Sequence, residues 1–181
     1  KAFARFEEKT PADFAGFCRR EAEWLSEYAL FMALKDANDG EAWFSWDPAL
    51  KTREPEALAA ARETYAEDIR FYQMLQYLFS KQWRSLKSYV NGLGIRIIGD
   101  TPIYVAGDSA DVWANPGQFY LDVDLNPIDV AGCPPDAFSA DGQLWGNPLF
   151  RWDVMKEDGY TWWTKRIAAM ARLYDIVRID H

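Results

Sequence analysis

Two short segments in the second half of the chain constrain its fold more than any other feature. Residues 95–100 (Ile-Arg-Ile-Ile-Gly-Asp) and residues 175–181 (Asp-Ile-Val-Arg-Ile-Asp-His) are rich in β-branched side chains, which favour strands. Each segment carries an aspartate near its carboxyl end, and in parallel α/β folds that end faces the active site. The two segments therefore predict two consecutive strands of a parallel sheet or barrel, in an α/β fold.

The region between the predicted strands consists of a long loop, about residues 99–151, and one helix, about residues 160–174. The helix is indicated by an apolar stripe at helical spacing, formed by Trp163, Ile167, Met170 and Leu173. Strand, helix and strand make a βαβ segment over residues 92–181. Its long loop is a large insertion at the active-site end of the first strand.

The first half of the chain, residues 1–91, predicts a mainly helical subdomain. Apolar residues repeat every three or four positions along a long helix of about residues 65–91, and Pro55 begins a shorter helix before it. Trp43 and Trp46 lie in a connector between helices. They could bind a ligand, but packing between helices is the preferred interpretation.

Arg178 and Asp180 form the first candidate catalytic pair. Side chains alternate along a strand, so residues two apart point to the same side. Arg178 can therefore hold Asp180 ionised and aimed, as a carboxylate nucleophile requires. The alternative is a structural ion pair at a strand end.

Composition narrows the function classes. The net charge of −8 argues against nucleic-acid backbones and anionic membranes as partners, and the sequence contains no signal peptide and no membrane-spanning apolar run. Two cysteines, Cys18 and Cys133, provide no disulfide framework, which fits a reducing, cytoplasmic location. The aromatic content of 16% hints at carbohydrate, because aromatic rings stack on the apolar faces of sugars.

The long loop carries eight aspartates and no Lys, Arg or Glu between residues 97 and 150. A calcium site at residues 122–126 is disfavoured because the glycine and the distal glutamate of an EF-hand loop are missing, and an exposed turn is the simpler explanation. A nucleotide site is disfavoured because no glycine-rich phosphate loop with a lysine is present. Acids, neutral polar groups and aromatics together favour carbohydrate, with no metal or cofactor.

Several motifs make the carbohydrate interpretation specific. They are residues 99–105 (Gly-Asp-Thr-Pro-Ile-Tyr-Val), 108–113 (Asp-Ser-Ala-Asp-Val-Trp), 131–136 (Ala-Gly-Cys-Pro-Pro-Asp), 142–148 (Gly-Gln-Leu-Trp-Gly-Asn-Pro), 151–153 (Arg-Trp-Asp) and 177–181 (Val-Arg-Ile-Asp-His). Together they resemble the amylomaltase family, which are 4-α-glucanotransferases or disproportionating enzymes related to the α-amylases. The resemblance implies a (β/α)₈ TIM barrel in which the two strands are the third and fourth. It makes most of the helical half an insertion subdomain.

The resemblance also implies an activity. Members transfer α-1,4-glucan segments between maltooligosaccharides, with glucose as a further partner, by retaining double displacement through a glycosyl-enzyme. The motif match makes Asp180 the nucleophile and Arg178 the residue that orients it. His181 would line the donor subsite, or alternatively belong to a hydrogen-bond network at the strand end.

The remaining site residues are implied by the same resemblance. Asp100 takes a supporting role, Gln143 and Trp145 contact the donor glucan, and Asp136 and Phe138 lie at the tip of a loop over the acceptor side. The sequence departs from some relatives at Ala137, where they have a tyrosine, so one stacking platform near the acceptor is expected to be absent.

The family's general acid, a glutamate, and its second aspartate belong to later strands. The chain starts at Lys1 and stops inside a motif, so we expect a fragment that is inactive and aggregation-prone alone, or is held by further contacts. Glu157 and Asp158 precede a helix and should not take those roles. Two alternatives to transfer are an α-amylase-type hydrolase with the same nucleophile and an inactive glucan-binding fragment.

Overall fold

The computed structural model describes residues 1–180 and separates the chain into two compact units, Lys1–Ser85 and the residues from Leu86 onward. The helices are α1 (Ala2–Glu8), α2 (Phe14–Arg20), α3 (Ala22–Ala37), α4 (Pro48–Lys51), α5 (Pro55–Thr64), α6 (Ala66–Gly92), α7 (Ala110–Ala114), α8 (Trp152–Glu157) and α9 (Thr161–Leu173). The strands are β1 (Ile98–Pro102), β2 (Val130–Cys133), β3 (Gln143–Pro148) and β4 (Ile176–Asp180). The chain is therefore α/β, as the sequence predicts.

The core of the first unit is largely aromatic. Phe14, Phe17, Leu25 and Tyr77 form its buried cluster, and the Tyr77 ring meets the Phe14 ring edge-on at 5.4 Å between centroids. The Tyr77 hydroxyl donates to Asp13 Oδ1 over 2.7 Å, which satisfies the polar end of this buried ring. Contacts between buried side chains, most of them aromatic, and the hydrogen bond of Tyr77 therefore hold α2, α3 and α6 together.

The tryptophans of the connector between α3 and α4 belong to this unit's interior. Trp43 is fully buried, and Trp46 is nearly so. The Trp46 indole N–H donates to the carbonyl of Glu41 over 3.2 Å, and its ring lies 5.3 Å from that of Phe31. The interpretation that these rings pack between helices is confirmed.

The carboxyl end of α6 determines where β1 begins. Gly94 has a φ of +76°, its N–H donates to the carbonyl of Asn91, and the N–H of Ile95 donates to that of Val90. This is the Schellman pattern that closes a helix, and it uses residues that the sequence assigned to a strand. The expected strand start at residue 95 is therefore wrong: β1 begins at Ile98.

β1 and β4 pair in parallel, as predicted. The register sets Ile98 opposite Ile176 and Pro102 opposite Asp180. Within residues 1–180 each of these strands has only the other as a hydrogen-bonded neighbour, and Ile98 is 64% exposed. A strand needs cover on both faces to be buried, so β1 stays largely exposed within the described residues.

One face of the β1–β4 pair is closed by the residue that follows α9. The ring of Tyr174 lies where a side chain on Gly99 would begin, so β1 can approach it only because residue 99 is glycine. Gly99 is the buried residue of β1. The opposite face, which carries Asp100, Arg178 and Asp180, is left open by this arrangement.

The insertion between β1 and α8 has its own structure. β2 and β3 form an antiparallel pair with Gly132 opposite Leu144. Buried aromatic rings anchor the insertion, and the largest are Trp113, Phe119, Phe150 and, from α9, Trp163. The predicted long loop is therefore folded, and its buried aromatic residues belong to the core of the second unit.

In the part of the chain that the structure describes, no helix combines the length and apolar character needed to cross a bilayer.

Candidate active site

Three charged side chains meet at the carboxyl ends of β1 and β4. Arg178 Nη1 lies 2.5 Å from Asp100 Oδ2, and Arg178 Nη2 lies 2.6 Å from Asp180 Oδ1. One guanidinium therefore donates to two carboxylates at once, through charge-assisted hydrogen bonds. We call these three residues the strand-end group.

The strand-end group follows from alternation and register. Arg178 and Asp180 are two residues apart on β4 and so share a face, as the sequence predicts. The parallel register then sets Asp100 directly opposite Arg178, although the two are 78 residues apart. The side chains of Arg178, Asp100 and Asp180 are 58%, 56% and 41% exposed, so the group is open to a ligand.

A second predicted pair lies on β3. Gln143 and Trp145 are also two residues apart, and the Trp145 indole N–H donates to Gln143 Oε1 over 2.9 Å. With its oxygen used in this way, Gln143 presents its amide N–H groups as donors toward hydroxyl oxygens of a ligand. The arrangement combines an aromatic face and an amide, which is suitable for gripping a sugar.

Tyr104 connects β3 to the segment after β1. Its ring stacks on that of Phe150 at 6.0 Å with 13° between planes, and it lies 6.3 Å from the Trp145 ring. Asn147 adds a hydrogen bond from Nδ2 to the carbonyl of Val105 over 2.8 Å. Sequence reasoning placed Tyr104 inside a family motif but gave it no role; an aromatic residue four positions after Asp100 was the available signal.

The tip of the insertion carries the third predicted pair. Asp136 Oδ1 accepts from the N–H groups of Phe138 and Ser139, each over 2.8 Å, and Ser139 Oγ donates to the carbonyl of Gly142 over 2.7 Å. The side chain of Asp136 thus builds the turn. Phe138 is 97% exposed on this turn, so its aromatic ring is accessible to a ligand.

Arg151 and Asp153 form a structural ion pair at the start of α8. Arg151 binds Asp153 through two nitrogens, with Nη2 2.7 Å from Oδ2 and Nε 3.0 Å from Oδ1. These hydrogen bonds from Arg151 lower the pKa of Asp153 to about 2. Asp153 is ionised at neutral pH and committed to Arg151, so we give it no role in chemistry.

The aspartate-rich turn at residues 122–126 is not built as a cation site. Asp122 Oδ1 accepts from the N–H groups of Asp124 and Asn126 over 2.9 and 2.8 Å, so this oxygen caps its own turn. Among residues 1–180 no group of three or more His, Cys, Asp or Glu side chains could hold a metal ion. The structure supports the exposed turn that the sequence favoured over calcium.

The predicted site residues fall into three local groups. Asp100, Arg178 and Asp180 meet directly, Gln143 meets Trp145, and Asp136 supports the turn that carries Phe138. His181 lies outside the described residues. Arg166, which sequence reasoning missed, donates from α9 to the carbonyls of Pro102 and Ile103 at the end of β1.

The chain is similar over its whole length to one family of known proteins. A family model described as 4-alpha-glucanotransferase matches residues 1–181. The 4-alpha-glucanotransferases of Thermus thermophilus and Clostridium butyricum are 50% and 46% identical to it, each across 100% of this chain and 37% of the relative.

A solved structure shows the same likeness in three dimensions. The amylomaltase from Streptococcus agalactiae, solved in complex with acarbose, superposes with a TM-score of 0.94 at 45% identity. The match covers 99% of this chain and 37% of that protein. The chain thus spans 37% of the length of each of these relatives.

Proposed function

This chain belongs to the 4-alpha-glucanotransferase family, and we propose that it supplies the nucleophile and the sugar-gripping side chains for transfer of α-1,4-glucan segments. Maltooligosaccharides act as donors and acceptors, and glucose is the smallest acceptor. The observation that carries the proposal is the strand-end group, in which Arg178 holds Asp180 and Asp100 at an open surface.

Asp180 attacks the anomeric carbon of the donor sugar as the glycosidic bond breaks, and this forms a covalent glycosyl-enzyme. The acceptor's hydroxyl then displaces Asp180 with net retention and gives its proton to the residue that had protonated the leaving oxygen. Arg178 fixes the direction of the attacking carboxylate through the hydrogen bond to Oδ1. Asp100 supports this by holding the other end of the guanidinium. The proton donor for the leaving oxygen is a glutamate outside these residues.

The hairpin of β2 and β3 supplies the contacts to the glucan. Gln143 and Trp145 grip the donor chain, with the amide bound to hydroxyls and the indole against a sugar face. Phe138 covers the acceptor side and shields the glycosyl-enzyme from water. Acarbose is bound by the Streptococcus agalactiae relative, and oligosaccharide binding by this chain is inferred from that likeness.

The architecture proposed for the whole protein is a (β/α)₈ barrel in a cytoplasmic enzyme. β1 and β4 are its third and fourth strands, and most of residues 1–91 is a helical insertion subdomain. The open face and the single-neighbour strands of residues 98–180 support this, because a barrel would pair both strands on their remaining edges. His181 is assigned to the donor subsite with the other strand-end residues.

The test of the nucleophile uses the full-length protein with maltotriose as substrate. Asp180→Asn keeps the shape of the side chain but removes the charge, so transfer should fall to below a few per cent of wild type. Asp175→Asn makes the same change at the residue directly before β4 and should keep wild-type transfer. Trapping with a slow fluorinated donor followed by peptide mass spectrometry should place the sugar on the peptide that contains residue 180.

Substantial transfer by Asp180→Asn, or a sugar found on a different peptide, would refute the assignment. Hydrolysis is the second candidate, in which water replaces the acceptor. It is not favoured, because the matched family and the relatives are described as transferases. A wild-type enzyme that released glucose without forming longer oligosaccharides would reverse that preference.

A further inference from the structure

Arg166 ties helix α9 to the carboxyl end of β1 with two hydrogen bonds. Its Nη2 donates to the carbonyl of Pro102 over 2.6 Å, and its Nη1 donates to the carbonyl of Ile103 over 2.9 Å. One planar guanidinium therefore bridges two successive carbonyls, a geometry that the single nitrogen of a lysine cannot reproduce. These carbonyls belong to the last residue of β1, the strand that carries Asp100, and to the residue that follows it.

Aromatic rings hold the guanidinium in this position. Arg166 Cζ lies 4.9 Å from the ring centroid of Trp163 and 5.3 Å from that of Trp162, both within the range of cation–π attraction. Trp163 is almost completely buried. Burial lowers the pKa of Arg166 from its ordinary value, and the negative charge of Asp111 opposes this. Arginine stays charged at any pH that the fold tolerates, so Arg166 is a fixed, charged donor.

The peptide group that Arg166 binds also holds the main chain of Asp180. The carbonyl of Pro102 and the N–H of Ile103 belong to one planar peptide unit. That N–H donates to the carbonyl of Asp180 over 2.7 Å, just beyond the pairing of Pro102 with Asp180 in the register. A cation on the carbonyl polarises the peptide and strengthens the hydrogen bond made by the N–H on its other side.

We propose that Arg166 is a positioning residue for Asp180, acting through the peptide between Pro102 and Ile103. The guanidinium sets the orientation of that peptide, and its N–H sets the position of the main chain of Asp180. The inference rests on the proposed function, because it needs Asp180 as the nucleophile. Displacement by about 1 Å at a reacting group can cost on the order of 100-fold in rate, so a small tilt of this peptide is enough to matter.

The test compares three variants of the full-length enzyme on a maltooligosaccharide donor. Arg166→Met keeps an apolar stem and removes both donors, and kcat should fall by about tenfold or more while KM stays within about threefold. Arg166→Lys keeps the charge without the fork and should be intermediate. Lys165→Met removes a cation from the neighbouring, exposed position of α9 and should keep wild-type kcat and KM.

The split between kcat and KM separates positioning from general damage. A misaimed nucleophile slows the chemical step in every folded molecule, whereas a partly unfolded preparation loses active sites, which titration of glycosyl-enzyme formation would count. If Arg166→Met does not fold, Arg166→Lys and Arg166→Gln carry the same test. Wild-type kcat per active site in the folded variants, or a change confined to KM, overturns the proposal.

The same experiment includes Asp180→Asn, so that two failures can be told apart. Full activity in Asp180→Asn overturns the proposed function, and the role of Arg166 falls with it. An inactive Asp180→Asn together with a fully active Arg166→Met overturns only the role of Arg166. A graded loss from Arg166→Lys to Arg166→Met, with Asp180→Asn inactive and Lys165→Met unaffected, is the expected result.

Discussion

One aspartate directly precedes β4 and another ends it, and the two side chains have different surroundings. At the amino end, Asp175 accepts from the N–H of Ile97 and from Asn91 Nδ2, each over 2.8 Å, and Lys87 Nζ lies 3.3 Å away. Its side chain is 19% exposed. At the carboxyl end, Asp180 and Asp100 both accept hydrogen bonds from Arg178, and the Asp180 side chain is 41% exposed.

The difference shows what each aspartate is available to do. Asp175 is surrounded by a main-chain donor, an amide and a cation, so both of its oxygens are engaged in joining the end of α6 to the sheet. Asp180 accepts a hydrogen bond from Arg178 and is 41% exposed, so part of its surface is open to a ligand. In parallel α/β barrel enzymes the amino ends of the strands serve stability and the carboxyl ends serve catalysis, and the role proposed for Asp180 agrees with that division.

The largest expected effect tests the carboxyl end. Arg178→Met in the full-length enzyme should lower kcat by about 100-fold or more, because neither Asp180 nor Asp100 is then held in direction. The free energy of unfolding should change by less than about 1 kcal/mol, since exposed ion pairs contribute little. Transfer kinetics and chemical denaturation of the same preparation measure both quantities.

Arg172→Met, which removes an arginine of α9, is the matched control and should keep activity. If Arg178→Met loses stability and activity in parallel, the hypothesis that the carboxyl end of β4 serves function rather than stability is refuted. In that case the strand-end group is the structural ion pair that the sequence left open as an alternative.

A smaller effect tests whether the proposed site includes β3. Trp145→Ala should lower transfer and hydrolysis together by roughly tenfold, because a lost stacking platform is worth on the order of 1–2 kcal/mol. Leu144→Ala is the control, since residue 144 is 80% exposed and points to the other side of the strand. Equal effects of the two changes on donor use would place the glucan away from the Trp145 face.

A substitution at the exposed loop tip should change the ratio of hydrolysis to transfer more than the rate of either reaction. Phe138→Ala should raise hydrolysis relative to transfer by about two- to fivefold, because water gains access to the glycosyl-enzyme while the nucleophile is untouched. The control is Val123→Ala, at a residue that is also 97% exposed but lies on a different turn. The measurement is glucose released against oligosaccharide disproportionated, and an unchanged ratio would remove the shielding role from Phe138.

The smallest expected effect tests the amino end through pH. Hydrogen bonds from the Ile97 N–H and from Asn91 to Asp175 lower the pKa of that carboxyl below its ordinary value of 3.8. A lowered folded-state pKa contributes stability above the unfolded pKa, and the contribution is lost as pH falls through the folded value. Asp175→Asn should therefore lower the thermal midpoint by a few degrees at neutral pH, and the difference should shrink below about pH 4.

Activity per folded molecule should stay at the wild-type level in Asp175→Asn, which separates the two ends of β4 most clearly. A thermal midpoint difference between wild type and Asp175→Asn that is independent of pH would show that the lost contacts matter through shape rather than through charge.

Local patterns predicted the parallel strand pair, helix α9 and the shared face of Arg178 and Asp180. Each of these depends on a periodicity carried by neighbouring residues: two along a strand and about 3.6 along a helix. The start of β1 was predicted wrongly because the β-branched run at residues 95–97 competes with a Schellman closure at Gly94. Both patterns are local, and the one that satisfied the carbonyls at the end of α6 was realised.

The sequence by itself therefore determined which residues share an element and a face, and the family motifs that resemble known glucanotransferases. Only the tertiary structure decided that Asp100 lies opposite Arg178, that Tyr104 lies beside Trp145, and that Arg166 binds the peptide behind Asp180. These partners are separated by about 40 to 80 positions along the chain. Their meeting depends on strand register and on packing summed over the whole unit, which no local periodicity encodes.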